Sequence, residues 1–257
     1  MATKTRAAVK AAENNTTDNR PSLLSSIGLF GLLDLEPIIL AALVTEAPLL
    51  LIGPHGTGKS LLLTQIAEAL GLEFRHYNSS LLNFDDLVGF PLPDKDGSLE
   101  YVKTPAAIWG AEAVIFDEIS RCRPDIQNKL FPIIHERRAQ GILLEDLRYR
   151  WAAMNPPASE DEDEGYIGSE PLDPALTDRF AFIVNMPSWD RFSENEQLAI
   201  ILADDSAVET NSANDFRRAI TSTRAALPSI KESIGEAVAV YVRSLVALLA
   251  QAGIPLS

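Results

Sequence analysis

The 257-residue chain has one cysteine, Cys122, which rules out an intramolecular disulfide framework. Histidine is nearly as scarce, and no Cys/His cluster has zinc-ligand spacing, so no zinc centre is expected. The longest uninterrupted apolar stretches, Pro37 to Leu43 and Ala47 to Ile52, fall far short of the roughly 20 residues that span a bilayer. No membrane span is expected, and cysteine usage suits a reducing cytoplasm. Residues 1–20 are polar, lack the apolar core of a signal peptide, and are expected to form a disordered tail. Positive charge is in deficit as well: 22 Lys and Arg face 36 Asp and Glu, a net charge of −14. That balance argues against a surface built generally to hold nucleic acid. The acidic run Glu160 to Glu164 must be a solvated loop, because burying that charge is too costly, and metal binding there is not expected.

The remainder is ordinary globular composition, 46% hydrophobic and 23% charged, with room for one large or two smaller domains. Its landmark runs from Pro48 to Ser60, an apolar strand followed by a glycine-rich turn and the start of a helix. The turn matches G-x-x-x-x-G-K-[ST] in full: Gly53, then Pro54, His55, Gly56 and Thr57, then Gly58, Lys59 and Ser60, with Leu61 continuing the helix. This chemistry needs glycine because the backbone must wrap a polyphosphate closely enough to point its N–H groups inward. Lys59 supplies a mobile charge for the β- and γ-phosphates, Ser60 a hydroxyl for Mg2+, and the helix its positive end.

Taken in order, a helix after Asp34 leads into that first strand. Ile27 to Leu32 has two readings, contact with a nucleotide base or core packing. A second strand is expected over Glu73 to Tyr77, then a short helix capped from Ser79, Ser80 or Asn83 and running through Leu87. The proline- and glycine-containing stretch 89–105 carries Phe90, Tyr101 and Lys103. A solvated hairpin is the better reading, contact with a client the other.

The unbroken apolar run Ala113 to Phe116 reads as a buried third strand that delivers Asp117 and Glu118 at its carboxyl end. Parallel sheets collect ligand chemistry there, so this pair can meet the phosphate loop. Asp117 would hold Mg2+, and Glu118 would orient or deprotonate an attacking water. A helix follows from Pro124, and a hairpin is expected around Asp146. Tyr149 to Met154 is a fourth strand that ends in Asn155, either a water- or phosphate-sensing amide or a turn residue before Pro156. Arg179 precedes a fifth strand, Ala181 to Asn185, and reads either as a surface ion-pair partner or as a finger toward a γ-phosphate. From Trp189 the pattern turns helical, with segments expected over Glu194 to Ala203, Phe216 to Leu227 and Ile230 to Ala252.

This order of parts resembles an AAA+ ATPase, and within it the MoxR-type and dynein-related branch. The residues that carry the resemblance are GPHGTGKS at Gly53 to Ser60, DDLVG at Asp85 to Gly89, and FDEISRCRP at Phe116 to Pro124. AAMNPP at Ala152 to Pro157 and LDPALTDRF at Leu172 to Phe180 complete it. It is close over Leu29 to Phe182 and loose beyond. The resemblance implies an α/β fold: a five-stranded parallel P-loop core with helices on both faces over residues 21–187, then a small all-helical lid over 188–257. It implies ATP and Mg2+ as cofactors, Asn155 as the sensor-1 residue, and Arg179 as the finger that completes a neighbouring subunit's site. It further implies a homo-oligomeric ring of six that remodels a client protein, often with a von Willebrand A-type partner.

The family's sensor-2 arginine has no counterpart, since Arg217, Arg218, Arg224 and Arg243 sit too early, so the lid is expected to lack its C-terminal part. Two other functions fit the same residues. One is a nucleic-acid-directed motor with Lys103, Arg137, Arg138 or Arg148 supplying a positive pore. The other is a nucleotide-controlled assembly switch with little turnover.

Overall fold

A computed structural model describes residues 22–93, 95–97, 99–102, 104–157, 172–202 and 210–254. The expected tail over 1–20, Lys103 and the acidic loop 159–165 lie outside the described residues. Two helices, α1 (Leu23–Ser26) and α2 (Glu36–Thr45), lead into β1 (Leu49–Ile52). Pro37 occupies the first turn of α2, where its missing N–H removes no helical bond. The phosphate-loop turn is followed by α3 (Lys59–Leu70), which ends at Gly71 in the left-handed conformation. Next come β2 (Phe74–Asn78) and α4 (Phe84–Val88), the latter opened by Asn83 and Asp86 in a reciprocal capping box.

Stretch 89–105 contains a hairpin, β3 (Phe90–Pro93) antiparallel to β4 (Leu99–Val102). β5 (Ala113–Asp117) passes through a single 3-10 turn into α5 (Pro124–Glu136). The hairpin expected around Asp146 lies earlier. β6 (Arg138–Ala139) pairs with β7 (Ile142–Leu143), and the turn between them is Gln140–Gly141, with φ of 52° and 78°. Two successive positive φ values suit a tight two-residue turn with glycine second. β7 falls within Gly141 to Glu145, which the sequence reads as a short extended piece, but its partner precedes it instead of following Asp146.

β8 (Tyr149–Met154), α6 (Pro174–Thr177) and β9 (Phe182–Asn185) complete the core. Five strands form one parallel sheet in the order β2-β5-β8-β1-β9. Strand alternation splits the apolar runs between its two faces. Leu49, Leu51, Ile115 and Trp151 join one buried cluster with α2 and α3, while Leu50, Phe116 and Ala152 join another with α4 and α5. Ile27, Leu29 and Leu32 are buried in the first cluster, so core packing is the role those side chains take.

After α7 (Glu194–Leu202), the two helices expected over 216–252 are one helix, α8 (Thr210–Gln251). Pro228 lies inside it. A proline removes one helical bond, and the helix continues past it, with Ala225, Ala226 and Leu227 in the turn before. The first half of α8 packs on the core through Phe216 and Ile220. In the second half Ile234, Val238, Tyr241 and Leu248 are exposed. By length and composition alone α8 is long and apolar enough to cross a membrane. Charged residues such as Glu236 and Arg243 divide it into short apolar runs.

Candidate functional site at the carboxyl ends of the parallel strands

β1 delivers Gly53 to the edge of the sheet, and the turn Pro54 to Gly58 carries the chain into α3. The sequence argument assigned all three glycines to close approach of phosphate, and the structure divides them. A Cβ on Gly53 would lie 2.8 Å from Met186 Cβ, so this glycine is required by the strand end beside it. Gly56 and Gly58 have φ of 75° and 73° with nothing near a built Cβ, so backbone conformation demands them. Thr57 Oγ1 donates to Pro54 O at 2.9 Å and closes the turn. The first turn of α3 leaves its N–H groups without helical acceptors, facing the same space.

Lys59 is buried, and its ammonium donates to Gly53 O and Pro54 O, both at 2.7 Å, and to Asn155 Oδ1 at 3.2 Å. Burial pushes its pKa down, and the charges of Asp117 and Glu118 recover part of that shift. Asn155, at the end of β8, is 4% exposed, and its Nδ2 lies 3.1 Å from His55 Nε2.

Ser60 Oγ donates to Asp117 Oδ2 at 2.5 Å. His76, on β2, places Nε2 3.4 Å from the same oxygen. Burial works against ionisation of Asp117. The hydrogen bonds from His76, Ser60 and the Glu118 N–H outweigh it and hold the carboxyl below its ordinary value. Glu118 has φ of 52°, a left-handed conformation uncommon outside glycine, and its N–H donates to Asp117 Oδ1 at 2.9 Å. Its carboxylate lies 3.7 Å from Arg121 Nη1. Ser60 and Asp117 are both oxygen donors at one point, a set that fits a hard cation such as Mg2+.

A cavity of about 360 Å3 opens between these groups, with His55, Lys59, Ser60, Asp117, Glu118 and Asn155 among its lining residues. The structure thus brings together residues from the phosphate loop, α3, β5 and β8. Asn78 and Met154 also line it and were missed from the sequence. Both sit at carboxyl ends of strands, which is the signal that could have found them once the strand order was known. Leu61 is assigned to the loop by sequence, but its side chain is 58% exposed and lies outside the cavity lining. Arg179, just after α6, donates its backbone N–H to Leu176 O and is absent from the cavity lining as well.

A second cavity, of about 530 Å3, adjoins Pro54 and is bounded by Gly31, Asp34, Met186, Arg191 and Phe192. A Cβ on Gly31 would meet Phe192 Cε1 at 2.7 Å, so the segment before α2 and the start of the helical region touch across it.

Residues 48–180 match the model of the AAA domain, dynein-related subfamily. The chain is 28% identical over 181 residues to the uncharacterized protein YeaC of Bacillus subtilis (strain 168), covering 67% of this chain and 52% of that one. In fold it is similar to a candidate ATPase from Cytophaga hutchinsonii, with a TM-score of 0.52 and 21% identity over 76% of this chain and 61% of the other. The chain therefore spans about half the length of YeaC. With the family model matching more than half of its residues, the chain belongs to the dynein-related subfamily of AAA domains, within the nucleotide-binding AAA+ ATPases.

Proposed function

We propose that the chain is a Mg2+-dependent, MoxR-type ATPase that hydrolyses ATP between subunits of a ring and uses that cycle to remodel a client protein. The observation that carries this reading is the convergence of Lys59, Ser60, Asp117, Glu118 and Asn155 on one cavity, from two strands' carboxyl ends and one helix N-terminus. Backbone N–H groups of Gly56 to Leu61 cradle the polyphosphate, and Lys59 turns from its carbonyl acceptors to the β- and γ-phosphate oxygens. Ser60 and Asp117 hold Mg2+, which when bound supplies charge neutralisation on the phosphate oxygens. Glu118 orients the attacking water and accepts its proton, and Asn155 holds water or γ-phosphate in line. The nucleoside occupies the cavity beside Pro54. Arg179, standing outside the cavity of its own subunit, completes the site of the next one.

Residues 21–187 would then act as the nucleotide-binding core and 188–257 as the lid, in a cytoplasmic homohexamer with a von Willebrand A-type partner. The test is steady-state ATP hydrolysis per subunit over a wide range of protein concentration, with Glu118→Gln as the blank. A specific rate that rises with concentration supports sites shared between subunits. No rate above the blank, with ATP still bound, overturns the hydrolytic reading in favour of a binding-only switch.

A further inference from the structure

We propose that the trough between the β3–β4 and β6–β7 hairpins is a docking site for an extended peptide that alternates apolar and basic residues. A cavity of about 440 Å3 opens there, within the range of ligand-binding clefts. Its floor is Ala111, Leu144 and Leu147, all buried. Tyr101 and Trp109 line one side, with the indole pinned by a 2.7 Å bond from Trp109 Nε1 to Val88 O. Ile142 and Leu143 line the other, and they are 49% and 45% exposed. Apolar side chains left this open beside a cleft mark an interaction surface rather than a solvated turn.

Charge selects the occupant. Glu145 and Asp146 stand exposed on the rim, and among the described residues no lysine or arginine lines the cavity. Arg148, the cation nearest to them in sequence, is held instead by Glu46 at 2.8 Å and Glu112 at 3.6 Å. Apolar walls under a negative rim complement a segment that buries one side chain and offers lysine or arginine beside it. The backbone selects a peptide in particular. Among the described residues β7 pairs only with β6, and Leu144 N–H also points to β6 at Arg137 O, so Leu143 turns its N–H and C=O to the outer edge, where an added strand can pair. A strand laid along that edge sends alternate side chains to opposite faces, matching the alternation of pocket and rim.

The test is fluorescence anisotropy of the full chain, without nucleotide, using a fluorescein-labelled peptide that alternates valine and lysine. Saturable binding is expected, weakened about five- to tenfold by the double variant Glu145→Lys/Asp146→Lys. The control, Glu232→Lys/Glu236→Lys, makes the same change in net charge on the exposed half of α8 and is expected to bind as the parent does. Equal weakening by both variants would mean that the overall negative field attracts the peptide, and would overturn the proposal. Equally tight binding of a lysine–serine peptide, or of a valine–glutamate peptide, would also overturn it, as would no saturable binding. Ile142→Ser, at an already exposed position, is expected to weaken binding without changing the melting temperature. No nucleotide is present, so failure here leaves the ATPase reading standing.

Discussion

Lys59 Nζ donates to Asn155 Oδ1 at 3.2 Å, joining the first residue of α3 to the residue after β8. The same amide reaches His55 through its nitrogen, so Asn155 is held against the phosphate loop at both ends. A phosphate arriving at Lys59 competes for the ammonium that Asn155 shares. Lys59→Ala is therefore expected to lose nucleotide binding, measured with a fluorescent ATP analogue. Asn155→Ala should retain binding within a few fold while turnover falls about a hundredfold. Equal loss of binding in both variants would show that Asn155 supports the loop and does not act on the bound phosphate.

Glu118 is held in a left-handed conformation at the end of β5, with its carboxylate 3.7 Å from Arg121. Glu118→Gln keeps the shape but cannot accept a proton, so ATP should bind and persist unhydrolysed. Arg179→Ala should also bind without hydrolysis. Mixing the two variants should restore measurable turnover, because a subunit with intact Glu118 can then meet a neighbour with intact Arg179. A mixture as inactive as its components would place Arg179 in some other role.

The core was legible because its signals are local. Four unbroken apolar residues before Asp117, Ala113 to Phe116, and a complete phosphate-loop pattern after an apolar strand, each fix an element without reference to the rest of the chain. What escaped depends on contacts remote in sequence. Nothing local shows that His76 meets Asp117, because that requires β2 and β5 to be sheet neighbours, as their pairing shows. The Gln140–Gly141 turn was hidden by Gln140, which takes a positive φ that its residue type seldom adopts. The break expected between Leu227 and Ile230 contains Pro228, yet the helix continues through it.

Cys122 is 3% exposed, and burial pushes its thiol up to about 11, with Asp125 adding to the shift and Arg123 opposing it. At pH 8 the native chain should resist alkylation by iodoacetamide almost completely and label fully in guanidinium chloride. Rapid native labelling would mean that the 3-10 turn after Glu118 opens readily.

The carboxyl of Asp117 is held below its ordinary value, so the folded state binds fewer protons there than the unfolded chain in the acid range. Its stabilising contribution is present above the unfolded value near 3.8 and is lost as pH falls through the lower native value. Asp117→Asn removes that linkage. Urea midpoints measured downward from pH 6 should fall less steeply for the variant than for the parent, and identical slopes would contradict the assignment.

Arg224 is where α8 is fastened to the core. Its guanidinium donates to Leu43 O at 2.9 Å, Val44 O at 3.2 Å and Tyr149 Oη at 2.5 Å, and it pairs with Glu46 at 3.0 Å. These acceptors come from the end of α2 and the start of β8, so one side chain ties the long helix to the sheet's amino-terminal edge. Arg224→Ala leaves those acceptors partly unsatisfied and should destabilise the fold by about 2 kcal/mol. For a chain of this size that corresponds to a fall in melting temperature of about 4–8 °C. Arg224→Lys should recover only part of the loss, because a single ammonium cannot reach both carbonyls and the phenol as the planar fork does. Arg243→Ala, on the exposed half of the same helix, should shift the melting temperature by less than about 2 °C. A comparable loss from both positions would mean that the Arg224 contacts contribute no more than an exposed arginine does, and would overturn the clamp.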